Sequence, residues 1–250
     1  MKTEWDYSAL ANAYLKRPDY ADKAIDKMLM LSGLSKDNKI CDIGAGVGHL
    51  TIMLAKRGYT VSAVEPNDAM RGNGLLQTKN LNNVSWYEGT GENTGQSDAQ
   101  FTLATFGSSF NVVDRAQALA EVKRITTPKA WFACMWNHRD ITDPIQQAVE
   151  NIIAKRISGY DYGLRREDQT DFLEKTQLFN QIHLIEERIH HTVSVNDWVE
   201  AWRSHATLQR QAGKEFPHII KDIENYLVQS KLNEIIIPYD TKIWLAQFNS

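Results

Sequence analysis

A chain of 250 residues, 42% hydrophobic and 24% charged, is long enough to bury one large core. Its net charge of −3 leaves no basic excess for tracking phosphates, which argues against nucleic acid as a partner. No apolar run reaches the length of a membrane span, and the start lacks a charged-then-apolar leader, so the expectation is a cytoplasmic protein with no membrane partner.

The first predicted elements are helical. Tyr7 to Tyr14 carries apolar residues at helical spacing until Arg17-Pro18 interrupts it. Asp19 to Leu31 resumes with Ala21, Ile25, Met28 and Leu29 on one side, and Gly33 ends it. Short continuous apolar runs at 39–43, 60–64, 84–87, 101–106 and 131–136 then alternate with helices. Buried parallel strands read this way, and the alternation predicts an α/β doubly wound sheet. Cys41 and Cys134 fall on the first and fifth of these strands. In the strand order 3-2-1-4-5 they lie two spacings apart, about 9–10 Å, beyond disulfide reach. Both are predicted to be core thiols, as a reducing compartment allows.

After the fifth strand the pattern changes. Asp143-Pro144 reads as an N-cap and first helical residue, with Ile145, Val149, Ile152 and Ile157 following on one face. A glycine-punctuated aromatic and basic loop spans Ser158 to Glu167. A helix at 167–178, a strand near 182–193 and helical stretches at 195–212 and 217–229 come next. Ile235 to Pro238 and Thr241 to Gln247 look like closing strand material. No repeat, low-complexity tract or linker divides the chain, so residues 1–250 are expected to form one domain.

The chemistry begins at Lys39-Ile-Cys-Asp-Ile-Gly-Ala-Gly-Val-Gly-His-Leu-Thr51, a strand, a glycine turn and a helix start. Gly44, Ala45, Gly46 and Gly48 form a turn whose backbone can approach a ligand closely. Asp42 sits just inside the strand end, and Glu65 closes the next strand, where a carboxylate can accept both ribose hydroxyls of a nucleoside. A dinucleotide fingerprint would place a third glycine at His49. An NAD(P)-dependent oxidoreductase is therefore the second reading, and a cofactor-binding partner subunit without catalysis the third.

The glycine loop resembles motif I of the class I S-adenosylmethionine-dependent methyltransferases. Val64 to Met70 is similar to that family's second motif, Glu88-Gly-Thr-Gly-Glu92 to its adenine-framing loop, and Phe101 to Asp114 to its fourth-strand segment. Ala120 to Pro128 matches the helix and turn before the fifth strand. The resemblance spans roughly residues 7–136 and is to the type 11 group, which includes quinone-ring and trans-aconitate methyltransferases. The chain departs from the pattern at Thr90, Thr102, Asn111-Val112 and Pro128-Lys-Ala130. The resemblance implies a Rossmann-like seven-stranded sheet ordered 3-2-1-4-5-7-6, strand 7 antiparallel, and S-adenosyl-L-methionine as cofactor. It implies cofactor contacts from Tyr14 and Arg17 on an N-terminal helical lid, 1–35, and from Pro66 beside Glu65. Thr90, Gly91 and Glu92, with Phe106 and Gly107, would complete them. A monomer or homodimer is expected.

A small-molecule acceptor is expected under a cap formed by 138–180 and 195–229, which exceed the minimal fold. The segment Met135 to Asp140 follows the fifth strand, where ligand crevices lie. His138 could serve as a base, Asn137 as an orienter and Arg139 as an anion clamp; a surface Arg139–Asp140 pair is the plainer alternative. Arg165-Arg166 stands beside Tyr160 and Tyr162. Trp198, Trp202, Arg203 and His205 share a predicted helix, as core or as substrate wall. Two aromatic–arginine clusters point to an anionic, partly flat acceptor, since arginine presents a fork to carboxylates. His190 and His191 point to opposite faces of a strand, so no metal site is expected.

Overall fold

The computed structural model describes residues 8–249, and of Ala9, Leu164 and Arg165 the backbone alone. Seven strands form one sheet ordered β3-β2-β1-β4-β5-β7-β6. They are β1 (Lys39–Ile43), β2 (Thr60–Val64), β3 (Val84–Tyr87), β4 (Phe101–Gly107), β5 (Thr126–Arg139), β6 (Phe179–Ser194) and β7 (Glu234–Phe248). β1 to β5 pair in parallel; β7 runs antiparallel to both β5 and β6.

The central parallel strands are largely buried because helices cover both faces, while β3 at the edge alternates half-buried and exposed residues. Against one face pack α2 (Asp22–Ser32) and α3 (His49–Lys56), whose Ile25, Met28, Met53 and Leu54 meet Ile40, Val61 and Met135. Against the other pack α5 (Arg115–Ile125) and α7 (Thr170–Lys175), meeting Cys41, Phe106, Phe132, Cys134 and Trp244. Both cysteines are free and fully buried in this second layer. A short α1 (Ala11–Tyr14) packs against α4 (Asp68–Thr78), which lies along β3.

The helical additions form a core of their own. Val149 and Ile153 of α6 (Pro144–Arg156), Trp198 and Trp202 of α8 (Val195–Arg203), Leu208 of α9 (Ala206–Ala212) and Ile219, Ile220 and Ile223 of α10 (Phe216–Gln229) pack together. Ile235 and Ile237 at the start of β7 close that core. Asp143 caps α6, accepting from the amides of Ile145 and Gln146, with Pro144 in the first turn as its sequence predicts.

Several boundaries differ from the sequence expectation, each for a local reason. Tyr7 lies outside the described residues, and the first helix is a 3-10 turn (Ser8–Leu10) followed by α1. The 195–212 stretch breaks at Ser204, whose carbonyl accepts from Arg17, while the Nδ1 of His205 caps α9. The 167–178 helix shortens to α7. The fifth strand runs on to Arg139, so Asn137, His138 and Arg139 sit on it and pair with Thr241, Asp240 and Tyr239. The closing material is one strand passing through Pro238. The Pro238 carbonyl accepts from the Asp140 amide just past the end of β5. Its missing N–H therefore faces that same side, away from β6, and no ladder bond is lost.

Candidate functional site

The turn after β1 is shaped by three left-handed glycines. Gly44 (φ +66°) lies so close to Ser109 that an added Cβ would sit 2.5 Å from the Ser109 Cβ. That contact requires glycine for packing. Gly46 (φ +59°) differs: nothing lies within 4 Å of where its Cβ would be. Its backbone borders open space, as a ligand cradle must. Gly44 and Ala45 both donate to the Val64 carbonyl, fixing the turn to β2.

Glu65 stands beside this turn, 6% exposed. One carboxylate oxygen accepts from the Gly46 amide and the other from the Asn67 amide, each at 2.9 Å. Burial raises its pKa, and those two amide bonds act the other way. A carboxylate has about four lone-pair sites, so two acceptor positions remain for a vicinal diol. Asp42 is buried beneath, accepting from the hydroxyls of Thr51 (2.6 Å) and Thr105 (3.0 Å). Burial pushes its carboxyl up to about 6 despite those donors.

A cavity of about 270 Å³ opens over these groups, near the lower end of small-molecule sites, roughly 300–1,000 Å³. Gly44, Ala45, Gly46, Asp42, Glu65 and Pro66 line one end, with Tyr14, Arg17 and Gly107. Asn137, His138, Arg139, Tyr162 and Trp202 line the other. Gly48 is not part of the lining; it is the N-cap of α3 and backs onto Trp86. Thr90, Gly91, Glu92 and Phe106 also lie outside the lining. Glu92 accepts from the Asp114 amide, and Phe106 is enclosed by Phe110 and Phe132. Tyr160 stacks edge-on against Tyr162 from behind. Arg203 is on the surface with Glu200, and the Arg165 side chain lies outside the described residues.

The arginine contacts at the far end are specific. Arg139, its side chain 10% exposed, donates to Glu150 of α6 and stacks over Trp202 at 4.6 Å. The surface pairing with Asp140 does not form; Asp140 pairs with Arg188 instead. The Nη1 of Arg139 is buried with no hydrogen-bond partner among the described residues. Arg166 donates to the Arg139 carbonyl and lies 4.4 Å over the Tyr162 ring. The Tyr162 hydroxyl donates to Glu150. Trp198 and Trp202 meet edge to face at 5.9 Å, and both are at once core residues and cavity wall.

Asn137 faces the cavity, but its polar atoms are engaged. It donates to the carbonyls of Pro18 and Asp19 and accepts from Thr241. Arg17 grips Ser204 through Nε and Nη2, and the Ala21 amide donates to Thr241. The turn at 17–21 is thus tied to β5, β7 and the α8–α9 junction. His49 occupies the place of a third glycine. Its ring bridges Asp19 and the Tyr14 carbonyl, so this position anchors the N-terminal segment and offers no packing glycine to a dinucleotide.

Sequence reasoning missed Tyr20, Ser108, His49 and Tyr239 as lining residues, while His205, named with the Trp198–Trp202 cluster, does line the cavity. Ser108 has φ +61° and bonds the Tyr20 hydroxyl at 2.9 Å. Its place after Gly107 at the end of β4 was the available signal. Tyr239 has none, because its role depends on antiparallel pairing with Arg139. His190 is exposed and His191 half-buried; among the described residues no metal-holding cluster forms. Among the described residues no helix is long and apolar enough to cross a membrane.

A family model described as a methyltransferase domain matches residues 41–134. An uncharacterized methyltransferase of Mycobacterium tuberculosis is 32% identical over 139 residues, covering 54% of this chain and 53% of that protein. One from Staphylococcus carnosus is 38% identical over 78 residues, 30% of this chain and 36% of that protein. The chain spans about half the length of the mycobacterial relative and less of the other. Among solved structures, the YcgJ protein of Bacillus subtilis aligns with a TM-score of 0.57 and 16% identity, over 92% of this chain and 100% of that one. Phosphoethanolamine N-methyltransferase 2 of Haemonchus contortus, in complex with phosphomonomethylethanolamine and S-adenosylhomocysteine, aligns with a TM-score of 0.58 and 11% identity, over 97% of this chain and 58% of that one. At these identities the likeness is one of fold.

Proposed function

We propose that the chain is an S-adenosylmethionine-dependent methyltransferase of the type 11 group, whose domain model matches residues 41–134, and that it methylates a small, carboxylate-bearing molecule in biosynthesis. The supporting observation is one continuous cavity that joins the Gly46–Glu65 end to the Arg139–Trp202 end. When bound, the cofactor supplies a methyl group already activated on a sulfonium. The chain's own work is then to align and to exclude water.

Glu65 offers two acceptor positions to a ribose diol, and the open backbone at Gly46 lets the nucleoside approach. Tyr14 and Arg17 border the same end. We read the helices after β5 as a cap on the acceptor, the segment 1–35 as a lid, and residues 1–250 as one domain. The carboxylates of Asp42 and Glu65 at one end and the guanidinium groups of Arg139 and Arg166 at the other orient a cationic donor and an anionic acceptor in opposite senses. His138 is the proposed base for an acceptor that arrives protonated, a contribution of roughly 10²–10⁴-fold. Asn137 acts by holding the 17–21 turn and not by touching the acceptor. Two buried free thiols suit a cytoplasmic enzyme.

Calorimetric titration with S-adenosylmethionine should give one site, and NAD(P) should give no heat. Absence of heat or thermal shift at millimolar S-adenosylmethionine would sink the reading.

A further inference from the structure

We propose that His49 is a positioning residue that works as an imidazolium. Its charge latches the turn at 17–21 over the nucleoside end of the cavity, so closure of that turn holds one proton that an open turn releases. The inference rests on the methyltransferase reading only for the ligand that the turn encloses.

The hydrogen bonds decide the charge. Nδ1 of His49 lies 2.6 Å from a carboxylate oxygen of Asp19, and Nε2 lies 2.9 Å from the Tyr14 carbonyl oxygen. A carbonyl oxygen only accepts, and so does an ionised carboxylate. Asp19 is ionised at neutral pH: its ordinary value of 3.8 is lowered further, chiefly by the bond to His49. A neutral imidazole carries one N–H. It could satisfy one of these contacts and would set a lone pair against the other. Both contacts exist together only when both ring nitrogens carry a proton.

The place of the ring gives this charge a consequence. His49 is the first residue of α3, directly after the glycine turn, and it lines the cavity together with Tyr14, Arg17, Pro18 and Tyr20 of the segment it holds. A cation at the start of a helix is opposed by the helix dipole, so the proton stays through Asp19 and leaves when the turn lifts away. The other ties of the turn run from Arg17 to Ser204, from Asn137 to the carbonyls of Pro18 and Asp19, and from the Ala21 amide to Thr241. Amides, hydroxyls and a guanidinium keep their charge across neutral pH, whereas histidine is the side chain that changes it there. The charges of Lys56 and His191 also reach Asp19. Lysine stays charged in this range, and burial lowers the His191 pKa, so His191 is neutral above about pH 7. Burial raises the Tyr20 phenol and keeps it neutral. Lys16, just before the turn, pairs with Asp197. Burial also raises the carboxyls of Asp42 and Glu65 at the same end, and their titration is common to wild type and variants of the latch. Closure is therefore favoured on the acid side and lost as pH rises, and a ligand under the turn binds more weakly in alkali.

The test takes two readings on the full chain. Long-range proton–nitrogen spectra of the histidine rings, with His49→Gln identifying the signal, report the proton directly. In the ligand-free wild type at about pH 7.5 both His49 nitrogens should be protonated, and Asp19→Asn should leave a neutral tautomer at that pH. Calorimetric titration with S-adenosylhomocysteine supplies the second reading. Between about pH 7 and 9 the wild-type affinity should fall about tenfold more than that of His49→Gln or Asp19→Asn. Should His49→Gln fold poorly, Asp19→Asn carries both readings, since the Asp19 side chain is 61% exposed. A neutral His49 ring in wild type at about pH 7.5, a ring that stays doubly protonated in Asp19→Asn, or parallel affinity profiles for wild type and Asp19→Asn would each overturn the proposal. Failure of S-adenosylhomocysteine to bind wild type at any pH would instead overturn the methyltransferase reading, and the ring spectra would still decide the latch.

Discussion

Around Glu65 the cavity is walled largely by backbone: a glycine turn, two strand ends and the amides of Gly46 and Asn67 that fix one carboxylate. Around Arg139 it is walled by side chains carried on separate elements: Arg139 and Trp136 on β5, Tyr162 and Arg166 on the loop beyond α6, Trp202 on α8 and Tyr239 on β7, with Glu150 of α6 outside the lining and paired to Arg139. The first end needs little more than the sheet to exist. The second exists only when five segments distant in sequence have packed. A generic ligand can be held by the first kind of wall, while discrimination among acceptors needs the second, because only side chains can differ in charge and shape from one protein to the next.

The two ends should therefore fail separately. The largest expected effect is at the acceptor end. Arg139→Met removes a buried, paired guanidinium and should cost about 2–5 kcal/mol in acceptor kcat/KM, with S-adenosylhomocysteine affinity unchanged. A parallel loss of both in calorimetry would show that the ends are not independent. Next comes Asp42. Its folded carboxyl titrates near 6 against an ordinary value of 3.8, so the native state holds its proton more tightly than the unfolded chain. The fold then loses stability as pH rises from about 4 to about 6, by roughly 3 kcal/mol at 1.36 kcal/mol per pH unit. Asp42→Asn should flatten that part of the denaturation profile of the ligand-free protein. Overlapping wild-type and variant profiles would show that Asp42 carries no such penalty.

A smaller effect is expected at Glu65. Glu65→Ala should weaken S-adenosylmethionine about ten- to hundred-fold, the worth of roughly one charge-assisted bond at 1.5–3 kcal/mol. Acceptor discrimination, measured as the ratio of kcat/KM for two acceptors, should stay level. The smallest effect concerns the 17–21 turn, which touches both ends through Arg17–Ser204 and Asn137–Asp19. Hydrogen exchange at 14–21 should slow when S-adenosylhomocysteine binds. Protection confined to 40–50 and 60–66 would assign the turn to the scaffold alone.

The same contrast explains what could be read from the sequence. Strands 39–43 and 60–64 have the expected bounds because both faces are largely buried, and the edge strand 84–87 has them too although its residues alternate between half-buried and exposed. The order of the sheet and the antiparallel β7 follow from the family resemblance and match the structure. At the site, Asp42, the glycines and Glu65 are local in sequence and were legible as a cluster. Arg139 and Trp202 were named as separate candidates, but their stacking was not legible, because no spacing rule links β5 to α8. Glu150 was invisible on an otherwise ordinary amphipathic helix. Its meaning comes from Arg139 and Tyr162, neither of which is near it on that helix. Arg203 fits the same sequence pattern as Arg139, yet its helical face points to solvent.

Cys41 and Cys134 sit on β1 and β5 at 0% exposure, in the layer beneath Phe106 and Trp244 and not in the cavity lining. Burial raises both thiols far from their reactive form. An alkylating reagent can therefore label this protein only when the layer between the sheet and α5 and α7 opens, while rearrangement of α6, α8 and α9 leaves both sulfurs covered. Labelling rate against reagent concentration gives a clock for opening of that layer alone. Tryptophan emission, to which Trp136, Trp198 and Trp202 along the cavity contribute, would respond to the helices. Run side by side on the unmodified chain, the two signals would separate breathing of the roof from failure of the floor.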